Sequence, residues 1–117
     1  MMNKDSTRYA SSIQENRIAK KFGGVVSVNS GASKFSSGDV ILKDVGMLIE
    51  CKTSMKDVKS FSIKKDWIEK SSSELFASRC NNSVIAFNFN FDDNRDYYII
   101  NDKLMNFLIE KLREENS

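Results

Sequence analysis

Residues 38–53 read GDVILKDVGMLIECKT, two apolar runs, DVILK (39–43) and GMLIECKT (46–53), joined through Asp44 and Val45. So short a connection cannot hold a crossover, and it predicts an antiparallel pair of strands. Side chains alternate across a strand, so Leu48, Glu50 and Lys52 share one face and Met47, Ile49, Cys51 and Thr53 the other. Both faces stay apolar up to Glu50, the pattern of a central strand covered on each side. In such a pair the start of the first strand lies beside the end of the second, which brings Asp39 to Glu50 and Lys52. Charge buried without a partner is costly, so these three residues interrupt a core for a reason.

The flanking sequence supplies the rest of an α/β fold. STRYASSIQENRIAKKF (6–22) reads as a helix stopped by Gly23-Gly24, and VVSV (25–28) as a short strand. NSGASKFSSG (29–38) is a Ser/Gly-rich loop, and MKDVKSF (55–61) has no clear pattern. Ser62 is placed to cap a helix running to about Arg79, with Ile63, Trp67 and Leu75 among its apolar positions. SVIAFNFN (83–90) and DYYII (96–100) are strands around the charged turn FDDNRD, and a last helix from 102 to about 114 carries Leu104, Met105, Leu108 and Leu112 at helical spacing. Helices interleaved with strands predict layers around a central mixed β-sheet flanked by helices.

The chain has 117 residues, enough for one domain over 1–117 and a single core. Its composition is that of a globular protein, no apolar run approaches the roughly 20 residues that span a bilayer, and the N-terminus lacks a secretory apolar region, which predicts a cytoplasmic protein without a membrane partner. Cys51 and Cys80 are too few for a disulfide framework and lack zinc-ligand spacing, and Cys51 reads as a buried free thiol. Histidine is absent, which excludes Ser-His-Asp and Cys-His nucleophiles and His-ligated zinc. Catalysis would rest on carboxylates, lysines, hydroxyls and a hard, oxygen-liganded metal. A formal charge of +2 permits a nucleic-acid partner without arguing for one.

A fourth charged residue belongs with the three. Glu15, Ile18, Ala19 and Phe22 have the spacing of a buried helical stripe, and Glu15 has no lysine or arginine three or four residues away. Taken alone, an acid-x-Lys at a strand end is usually a solvated ion pair, an Asp after Gly a turn residue, and a helix Glu exposed. One geometry accounts for all of them together: Glu15, Asp39 and Glu50 as ligands of a shared divalent cation, with Lys52 on the same face as Glu50. Three converging carboxylates repel and raise one another's pKa, and Mg²⁺ reverses that while leaving coordination positions for water and phosphate. The chemistry implied is metal-dependent phosphodiester hydrolysis, with Lys52 orienting the water or stabilising the transition state.

With these residues in place the sequence resembles the PD-(D/E)XK nucleases, and among them the archaeal-type Holliday junction resolvases. The matching pieces are IQENRIAKKFGG, VNSGASKFSSGD, DVILKDVGMLIECKT and SFSIKKDWIEKSSSELF, in family order across roughly residues 7–90. The resemblance implies a restriction-endonuclease-like αβββαβ core, a homodimer, and paired symmetric Mg²⁺-dependent incisions in a four-way DNA junction, with Mn²⁺ able to substitute. It makes Asp39 and Glu50 metal ligands, Glu15 a further direct or water-mediated ligand, Lys52 the catalytic lysine, and Ser30 a serine near the active site. The 29–37 loop, with Ser33 and Lys34, would reach the DNA, and Lys20, Lys21, Lys34, Lys56, Lys59, Lys64 and Lys65 would offer a phosphate-binding face. Gly38 stands where the superfamily pattern has proline, a change that removes no ligand. Two other readings stay open: a repair or restriction-type endonuclease of the same fold acting on linear or branched DNA, and a non-catalytic DNA-binding module. Phe61, Trp67, Phe76 and the aromatics of FNFNF are candidates for the dimer interface.

Overall fold

The turn between the two apolar runs is as tight as the sequence predicts, and it sets the register of the sheet. In the computed structural model, which describes residues 7–27 and 39–117, strand β2 (Asp39–Leu42) pairs antiparallel with β3 (Met47–Lys52). The Leu42 carbonyl accepts from the Val45 N–H and the Lys43 carbonyl from the Gly46 N–H, both at 3.4 Å. Gly46 takes a left-handed φ of +63°, and its carbonyl accepts from the N–H groups of Asn81 and Asn82 at 2.7 and 3.1 Å. The turn therefore also anchors the start of the next strand.

Helix α1 (Thr7–Phe22) precedes strand β1 (Val25–Ser27), and β3 is followed by α2 (Lys65–Ser73), the single turn α3 (Leu75–Ser78), β4 (Asn82–Phe87), β5 (Tyr97–Ile99) and α4 (Asp102–Glu115). The five strands form one mixed sheet in the order β1-β2-β3-β4-β5. Only β3 and β4 run parallel, joined by the α2–α3 crossover, and β3 is the central strand.

One face of the sheet packs on α1. Val40, Leu42, Ile49, Cys51, Val84 and Ala86 meet Ile18 and Ala19 there, with Leu104 from the first turn of α4. The other face carries Asp39, Ile41, Leu48, Glu50 and Ile85, and α2 and α3 lie over it. Both cysteines are buried and free. No described helix is long and apolar enough to cross a membrane.

Several boundaries differ from the sequence reading. Ser62 does not cap α2: Lys64 is still extended at φ −90°, ψ 135°, so the helix starts at Lys65 without a side-chain cap. The expected single helix to Arg79 is broken at Glu74, whose N–H closes α2 on Lys70 and Ser71, and Arg79 at φ +58° ends α3. β4 stops at Phe87, short of the expected residue 90. Phe22, expected in the buried stripe of α1, is 47% exposed. Asn101 caps α4, its side chain accepting from the Leu104 N–H at 2.9 Å, yet among the apolar residues of that helix only Leu104 is buried. Ser6, Val28 and the 29–38 loop lie outside the described residues.

Gly24 lets α1 return closely onto the sheet. A Cβ there would stand 2.5 Å from Leu42 Cδ2 and 2.8 Å from Val40 Cγ1, both in the core. Replacing Gly24 by Ala is expected to cost about 1–3 kcal/mol of unfolding free energy through overpacking. Urea denaturation of the two proteins measures this directly.

Candidate active site

The β2–β3 register sets Asp39 directly opposite Glu50. Residues opposite one another in an antiparallel pair point to the same face, so both carboxylates project toward α2 and α3. They are almost fully buried, Asp39 at 7% and Glu50 at 2% relative exposure. The Glu50 carboxylate accepts from the Lys52 ammonium at 3.3 Å. No hydrogen bond or ion pair from the described residues reaches the Asp39 carboxylate, which lines a hollow of about 270 Å³ with Ser27, Ile41, Leu48, Glu74, Ala77 and Ser78.

The electrostatics follow from this arrangement. Burial pushes the Asp39 carboxyl up to about 7, and the Glu50 carboxylate opposite pushes the same way. Burial also raises Glu50, with Lys52 pulling back by charge and by hydrogen bond. Lys52 is held on a second side as well: its Nζ lies 4.4 Å from the centroid of the Trp67 ring, the only tryptophan in the chain. Trp67 in turn packs on Phe61, which meets Phe87, the residue paired with Lys52 across the parallel register.

Glu15 is buried at 1% exposure, as the stripe on α1 predicts, but the stripe lies on the opposite face of the sheet from Asp39 and Glu50. Its reach through the sheet is visible in the charges acting on Asp39, where Glu15 is the weakest of those named, after Glu50, Glu74 and Lys70. On its own face it is the strongest charge acting on the Cys51 thiol, whose pKa burial pushes well up. Glu15 also has a local partner that the three-and-four spacing rule misses, because Arg8 Nη1 approaches its Oε2 at 3.9 Å from two turns away. Among the described residues no three acidic, cysteine or histidine side chains gather as a ready-made metal cluster; Asp39 and Glu50 share one face of the sheet, and Glu15 stands on the α1 side.

The position of α1 is set by a buried ionic network. The Asp96 carboxylate accepts from Arg17 Nε at 3.0 Å and Nη2 at 2.8 Å, and from Asn88 Nδ2 at 3.2 Å. Gln14 Nε2 stands 3.4 Å from Asp96 Oδ1 and from the Ala86 carbonyl oxygen. Thr53 Oγ1 donates to Asn88 Oδ1, which ties the end of β3 to the same cluster. Gln14 and Arg17 thus clamp the turn of α1 that carries Glu15.

The predicted DNA-binding residues divide. Lys64 and Lys65 open α2, and Lys64 Nζ lies 5.9 Å from the Trp67 ring, on the side of Lys52. Lys20 and Lys21 close α1, and Lys21 turns to Asp96 at 3.8 Å. Ser30, Ser33 and Lys34 lie outside the described residues. Trp67, Lys70 and Glu74 were missed as members of the site. For Trp67 and Glu74 the sequence carries a signal: residues 67, 71, 74 and 78 follow the spacing of a sheet-facing helical stripe, and three of the four are polar.

Two buried carboxylates opposite one another, one without a partner among the described residues, suit a hard cation. Mg²⁺ binds through one or two carboxylates and completes its shell with water and phosphate oxygens, so the pair satisfies its needs without a third protein ligand. Comparison with protein-family models, curated proteins and solved structures finds no match to this chain.

The Asp39 carboxyl makes stability depend on pH. The folded protein keeps its proton up to about pH 7, whereas the carboxyl's ordinary value is 3.8. Folding therefore takes up a proton between those values, and stability falls as pH rises through that window. In metal-free buffer the thermal midpoint is expected to drop between about pH 5 and about pH 8, and Asp39→Asn to flatten the drop and raise the midpoint at the upper end by on the order of 5 °C. Differential scanning calorimetry across that range decides it, since an unchanged slope in the variant would place the proton elsewhere.

Proposed function

We propose that the chain is a metal-dependent DNA endonuclease with a restriction-endonuclease-like core, acting as a homodimer that makes paired incisions in four-way junctions. The observation that carries the hydrolytic reading is the pairing of Asp39 with Glu50 across adjacent strands, with the Lys52 ammonium 3.3 Å from Glu50. The element order α1-β1-β2-β3-α2-β4, ignoring the single turn α3, agrees with the αβββαβ arrangement that the resemblance implies. Preference for a four-way junction rests on the resemblance.

In this reading Asp39 and Glu50 hold Mg²⁺, with Mn²⁺ as a substitute. When bound, the cation lowers the pKa of a water and offsets phosphate charge. Glu50 has a second task, which is to accept from Lys52 and fix where its charge sits. Lys52 lies between the Glu50 carboxylate and the Trp67 ring, so its ammonium is oriented before substrate arrives, and it stabilises negative charge developing on the scissile phosphate. Lys64, beside Trp67, and Lys65, at the start of α2, contact the DNA backbone and make binding salt-sensitive. Glu15 acts through the sheet, biasing the charge on Asp39, and the Asp96 clamp keeps it there.

Cleavage of an end-labelled synthetic four-way junction beside matched linear duplex, with Mg²⁺ or EDTA, tests the proposal. Symmetric cuts in the junction are expected with Mg²⁺ alone, and Glu50→Gln is expected to abolish them while leaving binding intact. Equal cutting of linear duplex would keep the nuclease and remove the junction preference. Binding without cutting under every salt and metal would favour a non-catalytic module.

Lys52→Met is expected to lower kcat by on the order of 10²–10³ at unchanged junction affinity, the loss associated with removing one charge-stabilising donor. Single-turnover kinetics at saturating enzyme separate the two quantities. A change confined to affinity would demote Lys52 to a phosphate contact.

A further inference from the structure

The break between α2 and α3 falls at a carboxylate. Glu74 takes φ −87° and ψ −4°, and its N–H ends α2 on the Lys70 and Ser71 carbonyls. Its own carbonyl accepts from the Ser78 N–H at 3.0 Å and from Ser78 Oγ at 2.9 Å. The backbone of Glu74 is thus fully used, while its side chain is not: among the described residues no hydrogen bond or ion pair takes up the carboxylate. Lys70 stands one turn earlier, at a spacing that pairs on a helix surface, yet no ion pair joins the two.

The carboxylate has a definite outlook. Glu74 is half-buried and lines the hollow of about 270 Å³ that Asp39 lines, together with Ser27 and Ser78. Asp39, 7% exposed, is likewise without a partner among the described residues. The charge of Glu74 acts on both Asp39 and Glu50, and on Asp39 it outranks that of Glu15. A hollow of this size has room for several waters, and its carboxylates and hydroxyls offer them partners.

We infer that Glu74 is the third acid of the cation site, holding from across the hollow a water bound to the ion that Asp39 and Glu50 ligate. The inference rests on the proposed reading of that pair as ligands. Contact through water fits the geometry: among the described residues the acids do not close into a cluster, and Mg²⁺ keeps several of its waters when one or two carboxylates bind it. Topology agrees, because Glu74 faces the hollow beside Asp39, whereas Glu15 stands on the α1 side of the sheet. The place that spacing along α1 predicts for Glu15 thus falls to a residue of the α2–α3 crossover. Glu74 is a positioning residue: it accepts a hydrogen bond from the water, and its charge helps to retain the cation.

The test reads metal affinity, not cleavage. Mn²⁺ is titrated into the full chain, in buffer alkaline enough to ionise Asp39, and the free ion is followed by its paramagnetic resonance signal. Glu74→Gln is expected to weaken binding by about 10–100-fold, the usual loss when a group that holds a ligand or its water is removed. Glu69→Gln takes the same charge from an exposed position on the same helix and is expected to change affinity by less than about twofold, because solvent and salt screen it. Asp39→Asn is expected to abolish binding. Circular dichroism spectra matching the wild type establish that the variants are folded, and Glu74→Gln keeps the size of a half-exposed side chain whose backbone bonds are untouched. If Glu74→Gln binds as the wild type does while Asp39→Asn does not, or if Glu69→Gln loses as much as Glu74→Gln, the inference falls and the Asp39–Glu50 site stands. A wild type that binds no Mn²⁺ overturns both.

Discussion

The register between β2 and β3 is the constraint on which the site depends. It is set by the turn from Lys43 to Gly46, and a slip of one residue would send Asp39 to the α1 face while Glu50 stayed under α2. The left-handed Gly46 prevents that slip in two ways, by closing the turn and by tying it to Asn81 and Asn82 at the head of β4. The parallel β3–β4 register then brings Phe87 beside Lys52, and with it the aromatic series that supports Trp67. Backbone geometry at one end of the hairpin thus determines the company of charged side chains at the other.

The strands of the hairpin were legible because their chemistry is local. A tight turn, alternation, and acids at the wrong places in apolar runs suffice to bring Asp39 to the Glu50/Lys52 end of the next strand, and the register sets it opposite Glu50. The helices were less legible. Ser62 has the right chemistry for a cap, but Lys64 stays extended, and the helix waits for Lys65. The break at Glu74 carries neither Gly nor Pro, so nothing in the sequence marks it.

Glu15 is only half legible in the sequence. Its burial follows from its spacing with Ile18 and Ala19, but which face of the sheet α1 would cover is a tertiary fact, and the three-and-four rule for partners does not reach Arg8. Trp67 reads from sequence as an apolar position of its helix, and Lys70 and Glu74 as surface charges, so none of the three announces the site. Their importance comes from standing opposite two carboxylates more than a dozen residues earlier in the chain. The same limit applies to α4, whose periodicity announces an apolar face without saying what that face meets.

The cation–π contact between Lys52 and Trp67 has an optical consequence. With a single indole in the chain, all tryptophan emission originates beside the ammonium that the proposed chemistry uses. Any event that moves or neutralises that charge is therefore reported without a label, and the spectrum of the whole protein is in effect the spectrum of its candidate active site.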